Sequence, residues 1–354
     1  MATFDKRWAE CLEIIAVEIG VDVKDIHEQD DFAGDLGVSA PLSRSITARL
    51  RELAPDLPVA VLDECPTVDS LRQCLARLTA IAKGNDNRQS TSNGSKGNLS
   101  RVPLSVILQG SPSNSTETIF LLPDGSGSGM AYAGIPPISP TTCLIAMNSP
   151  YLRCPEDYRC SIQDMAREWA QEIRQRQPQG PYILGGWSAG GYYSYEVAEN
   201  LRRQGEHVSK LILLDSPCRP DFEELPIQVV EYLSAHGLMG NWGVSERTPA
   251  WLVEHFRSTL RAVRQYVPTP MVAPPPTVYV IWSADGVMLE DQLEPTGLDL
   301  KIKVSRFLLV GKPNFTPHGW ERLFPGGKLY TTKISGNHFT LISPPNVSSK
   351  KVPT

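Results

Sequence analysis

Gly186-Trp187-Ser188-Ala189-Gly190 puts a serine between two glycines at the spacing that lets a chain turn sharply from strand to helix. The apolar run at 182–185 precedes it and a helical pattern follows from Ala189, so Ser188 is the candidate nucleophile. The Ala189 N–H, one residue on, is then a candidate oxyanion donor. A hydroxyl attacks poorly until a base takes its proton. Of six histidines, His27 lies in the front segment, His207 in a polar turn, His236 and His255 in a strandless insertion, and His318 in a polar loop. His338, in Ser335-Gly336-Asn337-His338-Phe339, follows the last β-rich run and is the candidate base. Two acids end strands in the chain order Ser, Asp, His: Asp215 in LILLDSP and Asp285 in VIWSADG. Asp215 directly terminates its apolar run and is preferred; Asp285 stays open as a loop cap or a group near substrate. A second oxyanion donor belongs in a loop after an early strand, where Gly125 in Leu122-Pro123-Asp124-Gly125-Ser126-Gly127 is the first choice. A phosphate-binding loop is the rival for those glycines, but the Gly-Lys-Ser/Thr ending is missing.

These residues need a scaffold of strands ending at one edge. β-rich runs at 118–122, 143–147, 182–185, 211–214, 277–282 and 328–334 alternate with helical patterns at 161–177, 189–204 and 250–266. That alternation predicts a mainly parallel sheet covered by helices. The strandless region at about 219–271 reads as a helical lid, with Trp242, Trp251, Leu252, Phe256 and Tyr266 available either to line a channel or to pack it down. Residues 1–80 carry helical stripes instead: Trp8, Leu12 and Ile15; Leu42, Ile46, Leu50 and Leu53; Leu71, Cys74, Leu75 and Leu78. Gly20 can end the first helix, while Ser39 and Thr67 can cap the second and the last. A Gly/Ser/Asn-rich tract gives a flexible linker at 81–101, leaving 102–354 as the larger domain.

The 354 residues carry a net charge of −5, which argues against nucleic acid held by bulk electrostatics. No apolar run is long enough to span a membrane, and no secretory signal opens the chain. Seven cysteines are scattered without metal-type spacing, as in a reducing, cytoplasmic setting. No metal and no covalently bound cofactor is expected.

In order, PDGSGSGMAY, RQRQPQGPYILGGWSAGG, KLILLDSPCRP, VYVIWSADGV, NFTPHGW and GNHF resemble the thioesterase domain of fungal non-reducing polyketide synthases, a family that includes hydrolases and Claisen cyclases. The resemblance implies an α/β-hydrolase fold with Ser188, Asp215 and His338 as nucleophile, acid and base. The front segment resembles the acyl carrier protein that precedes such domains, a four-helix bundle. There DDFAGDLGV leads to Ser39-Ala40-Pro41 where the family has Asp-Ser-Leu with phosphopantetheine on the serine. Ala40 at that position has no hydroxyl, so the resemblance is to a degenerate carrier, with phosphopantetheine expected only on a partner's carrier domain. Family members also continue past the histidine loop into a closing helix, whereas SPPNVSSKKVPT has no helical periodicity.

The resulting expectation is a stand-alone thioesterase acting in trans on a polyketide thioester held by a synthase, most readily by hydrolysis. Claisen cyclisation or lactonisation are the alternatives at the same serine. A carrier-like module that docks the hydrolase to a synthase is the alternative of another class.

Overall fold

The computed structural model describes residues 2–38, 40–54, 57–58, 61–83, 104–152, 154–239, 250–289 and 296–347. The chain divides near Arg101 into two compact units. The expected linker at 81–101 lies outside the described residues from 84 onward, and so does Ser39 as a helix cap.

The first unit is a bundle of four helices: α1 (Ala2–Ile19), α2 (Ala40–Leu53), α3 (Val61–Glu64) and α4 (Val68–Lys83). Residues at helical spacing meet in its core, among them Ile15, Ile46, Leu50 and Leu71, each fully buried. Thr67 opens α4 by accepting the Ser70 N–H at 3.2 Å, a side-chain cap of the expected kind. Inside the bundle Arg49 of α2 forms an ion pair with Glu18 of α1, both almost wholly buried.

The second unit is a seven-stranded sheet in the order β1-β3-β2-β4-β5-β6-β7. Its strands are β1 (Ser105–Gln109), β2 (Glu117–Leu122), β3 (Thr142–Met147), β4 (Tyr182–Trp187), β5 (Val208–Leu214), β6 (Thr277–Ser283) and β7 (Lys328–Ile334). All neighbours run parallel except β1, which is antiparallel to β3. The described helices of this unit are α5 (Ile162–Arg176), α6 (Ala189–Arg203), α7 (Ile227–Ala235), α8 (Ala250–Gln265) and α9 (Lys303–Leu309). α5 starts on a reciprocal capping box between Ser161 and Asp164. Strand residues Phe120, Ile145, Leu184, Leu213 and Val280 bury against Trp169, Tyr193 and Val197 of the covering helices. The alternation found six of the seven strands; β3 and β4, covered on both faces, are buried throughout, whereas the edge strand β7 is largely exposed. β1, a five-residue strand at the sheet's edge, and the short α9 are additions to that expectation.

α7 and α8 occupy the strandless insertion between β5 and β6, with residues 240–249 outside the described set. Residues 335–347 form turns, and no helix follows β7 among the described residues. Leu341 and Ile342 are nevertheless buried there.

Candidate active site

The turn from β4 to α6 leaves no space for side chains around Ser188. A Cβ on Gly186 would lie 2.1 Å from the Gly190 carbonyl oxygen, and one on Gly190 would lie 2.5 Å from the Leu122 carbonyl oxygen. Ser188 takes φ 56° and ψ −122°, a strained conformation for a side-chain-bearing residue and the mark of a nucleophile elbow. The strain is held from both sides: the Ser188 N–H donates to Leu214 O at 2.9 Å, and the Gly191 N–H donates to Ser188 O at 3.1 Å. One residue earlier, the Trp187 N–H donates at 2.8 Å to the Tyr132 hydroxyl, which in turn donates to Leu122 O. That buried phenol joins the ends of β2 and β4.

At the next strand end Asp215 also has positive φ, 45°, and is fully buried. Its Oδ2 lies 2.8 Å from His338 Nδ1. Burial works to raise this carboxyl, but the His338 hydrogen bond and the Lys312 charge outweigh it and hold Asp215 below the ordinary carboxylate range. An ionised Asp215 only accepts, so His338 carries its proton on Nδ1 and keeps the Nε2 lone pair free as a base. The His338 ring stands 5.3 Å from the Trp187 ring, beside the elbow. Among the described residues Ser188 Oγ has no hydrogen-bond partner; serine–histidine contacts commonly tighten only with substrate bound.

Asp285, the other acid left open by the sequence, turns its carboxylate to the Gly336 N–H at 3.0 Å and so braces the loop that presents His338. His318 bonds Asn314 O, and His236 stacks on Tyr232.

Gly125 lies in the loop after β2, and that loop touches the elbow where Gly190 packs under the Leu122 and Pro123 carbonyls. The peptides flanking Gly125 are fixed. Gly127 N–H donates to Asp124 O at 3.0 Å, while the Gly125 carbonyl accepts from His255 Nδ1 at 3.1 Å and Thr259 Oγ1 at 3.0 Å. Both donors come from α8, whose Phe256 ring would lie 2.5 Å from a Cβ on Gly125. Burial lowers His255 to about 4, so it is a neutral clamp rather than a charge. Burial raises Asp124 to about 7, against hydrogen bonds from Ser126. Of the lid residues named from the sequence, Leu252, Phe256 and Tyr266 are buried; Trp242 and the Trp251 side chain lie outside the described set. Tyr266 packs on Tyr192 of α6 and donates to Glu196, so it fastens α8 to the body.

Three supporting groups lie outside the residues that the sequence singles out. Ser283 donates to Asp215 through its N–H at 2.7 Å and its hydroxyl at 3.0 Å. Lys312 lies 2.8 Å from Asp215 Oδ1 and is buried. Tyr132 is the third. All are brought in from other strands or loops, and only the hydroxyl at the end of the VIWS run was open to notice.

A strained serine between glycines, an acid–imidazole pair on neighbouring strand ends and a parallel sheet beneath them define a serine hydrolase on the α/β-hydrolase scaffold. Residues 117–224 match the family model of the Thioesterase domain, and residues 11–75 match that of the Phosphopantetheine attachment site. Non-reducing polyketide synthase terA of Aspergillus terreus is 37% identical over 365 aligned positions, covering 95% of this chain and 17% of that protein. Norsolorinic acid synthase stcA of Emericella nidulans is 32% identical over 368 positions, covering 97% of this chain and 16% of that protein. A four-domain nonribosomal peptide synthetase bound to AMP and glycine shares the fold: TM-score 0.55, 18% identity, 94% of this chain and 24% of that one. The chain thus carries a thioesterase domain preceded by a phosphopantetheine-attachment-type domain, and along nearly its whole length it is similar to a segment, about a sixth, of fungal non-reducing polyketide synthases.

The relatives correct one expectation. A stand-alone hydrolase acting in trans does not fit homologues in which the matching segment is 16–17% of a much longer multidomain synthase. That expectation leaned on the extent of the chain, which carries no physical information about what it is joined to. In the carrier-type unit α2 opens at Ala40, where the resemblance puts the attachment serine, and alanine offers no oxygen to form a phosphodiester. Residue 40 therefore does not fit phosphopantetheine. No described helix is long and apolar enough to cross a membrane.

Proposed function

We propose that this thioesterase domain releases a polyketide chain from a synthase through an acyl-Ser188 intermediate, with Claisen-type ring closure as the releasing step. The division at 1–80, 81–101 and 102–354 belongs to this reading. So does a substrate held as a thioester on the phosphopantetheine arm of another carrier domain, one with the serine that position 40 lacks. His338 Nε2 takes the Ser188 proton as Oγ attacks the thioester carbonyl, and the Ala189 and Gly125 N–H groups are the donors for the oxyanion. The C–S bond then breaks and His338 returns the proton to the departing thiol. Next, a carbon between two carbonyls of the bound chain loses its proton to His338. The carbanion attacks the ester carbonyl, a C–C bond forms, the bond to Oγ breaks and Ser188 regains a proton.

The observation that carries this reading is the 2.8 Å His338–Asp215 bond beside the elbow serine. Similarity to non-reducing synthases along 95% of the chain favours ring closure over hydrolysis. Scattered cysteines without metal-type spacing support a cytoplasmic setting. The test is to incubate the full chain with a poly-β-keto acyl-pantetheine thioester, quench with acid, and analyse protein and product by mass spectrometry. An acyl adduct on Ser188 and a ring-closed product lighter than the linear acid by one water are expected. Turnover that survives Ser188→Ala without any adduct overturns the scheme, and a linear acid as sole product overturns ring closure.

A further inference from the structure

Asp215 has two oxygens and so about four acceptor positions. Oδ1 is taken by the Ser283 N–H at 2.7 Å and Lys312 Nζ at 2.8 Å; Oδ2 is taken by the Ser283 hydroxyl at 3.0 Å and His338 Nδ1 at 2.8 Å. Three donors are thus structural, and His338 docks at the fourth place. Lys312 is the unusual member. Its side chain is 1% exposed, its ammonium also donates to Ser283 Oγ at 2.9 Å, and it lies 4.0 Å from the centre of the Phe307 ring. Burying an ammonium is expensive without a counter-ion, and here the counter-ion is the carboxylate that serves the base.

The position of Lys312 is built, not incidental. The end of α9 is bonded to the segment after β6, Val287 N–H to Leu308 O at 3.2 Å and Met288 N–H to Leu309 O at 3.0 Å. Gly286 fits so closely that a Cβ there would lie 2.4 Å from Leu309 O. The chain turns at Gly311, φ 96°, and delivers Lys312 to the end of β6.

We infer that Lys312 is a positioning residue for acyl transfer: it saturates Asp215 Oδ1, leaves His338 a single docking place, and keeps the imidazole a neutral base at lower pH than Asp215 alone would permit. The inference rests on the Ser188 reading above. Its electrostatics follow from charge. A lone carboxylate draws a proton onto the neighbouring imidazole, whereas a carboxylate already neutralised by an ammonium draws it less. The charged and titratable groups around Asp215 are His338 from the loop after β7 and Lys312 from the loop after α9. Beyond them are Asp285, turned to the Gly336 N–H, and His318, whose ring lies 5.4 Å from the Trp282 ring.

The experiment is the pH profile of Ser188 labelling by a fluorophosphonate in the full chain, for wild type, Lys312→Met, Lys312→Gln and Lys312→Arg. Gln retains an N–H donor and removes the charge; Arg retains the charge. The acid limb is expected to move up by about one pH unit in Met and Gln, so that labelling below the limb falls about tenfold, and to return towards wild type in Arg. An unmoved limb, or a loss by the same factor at every pH, overturns the inference. Where the Met and Gln chains do not fold by circular dichroism, Arg decides: a limb at the wild-type position supports the role, and a limb moved up overturns it. Wild type that is not labelled at Ser188 defeats the acyl-enzyme reading itself, a separate result.

Discussion

Each unit contains a buried ion pair, and the two serve different ends. Arg49–Glu18 ties α2 to α1 inside the helical bundle, with Ser45 as a further donor to Glu18 at 3.3 Å. Lys312–Asp215 shares its carboxylate with a histidine at the mouth of a strained turn. A pair of the first kind can in principle give way to well-packed apolar residues, because desolvation offsets most of its attraction. A pair of the second kind cannot, since the carboxylate has a second duty. Burial alone therefore does not mark a functional charge; a shared partner does.

The largest effect should come from removing the shared carboxylate. Asp215→Asn is expected to lower Ser188 acylation by on the order of 10³–10⁴, because the amide can hold the imidazole in the wrong tautomer. Single-turnover acylation measures this, and a loss below tenfold would remove Asp215 from the site. Breaking the other pair should harm stability instead. Arg49→Met leaves Glu18 buried without its counter-ion and should cost about 3–5 kcal/mol of the bundle's stability, with labelling of Ser188 unchanged. Combining it with Glu18→Leu should recover most of that loss in a denaturant titration; a double variant as weak as the single one would show the pair to be needed as a pair.

A third test sharpens the contrast with a buried acid that has no cation beside it among the described residues. Asp124 is raised to about 7 by burial, so the folded state holds a proton that the unfolded chain releases near pH 4. Its contribution is present below that unfolded value and is lost as pH rises to about 7. Wild type should thus lose stability between pH 4 and 7 relative to Asp124→Asn, seen as a widening gap in melting temperature. Asp215 has the opposite sign. Its folded value is depressed, so its contribution is full above the unfolded value and is lost only as pH falls through the lower folded one. The smallest effect is expected at the carrier-type unit. Ala40→Ser should shift stability by no more than about 0.5 kcal/mol, because the bundle's core residues Ile46, Leu50 and Leu71 do not depend on a hydroxyl there.

What the sequence made legible was periodic or local. β4 is buried from end to end and β5 is apolar through Leu211–Leu214, and the elbow's glycines stand within two residues of the serine they serve. β1 was missed because five residues at a sheet edge offer little periodicity. The choice between Asp215 and Asp285 needed three dimensions, since both end strands and only one meets His338. Lys312 and Tyr132 were out of reach for the same reason: nothing near either in the chain announces a partner 97 or 55 residues away.

The phenol of Tyr132 has a consequence for any attempt to retrain this protein on other acyl chains. Because it rivets two neighbouring strand tips through one oxygen, the spacing of the backbone on either side of Ser188 is tied to the sheet. Variation for new substrates is better spent on α7 and α8, and a library that randomises position 132 should lose turnover towards every chain alike.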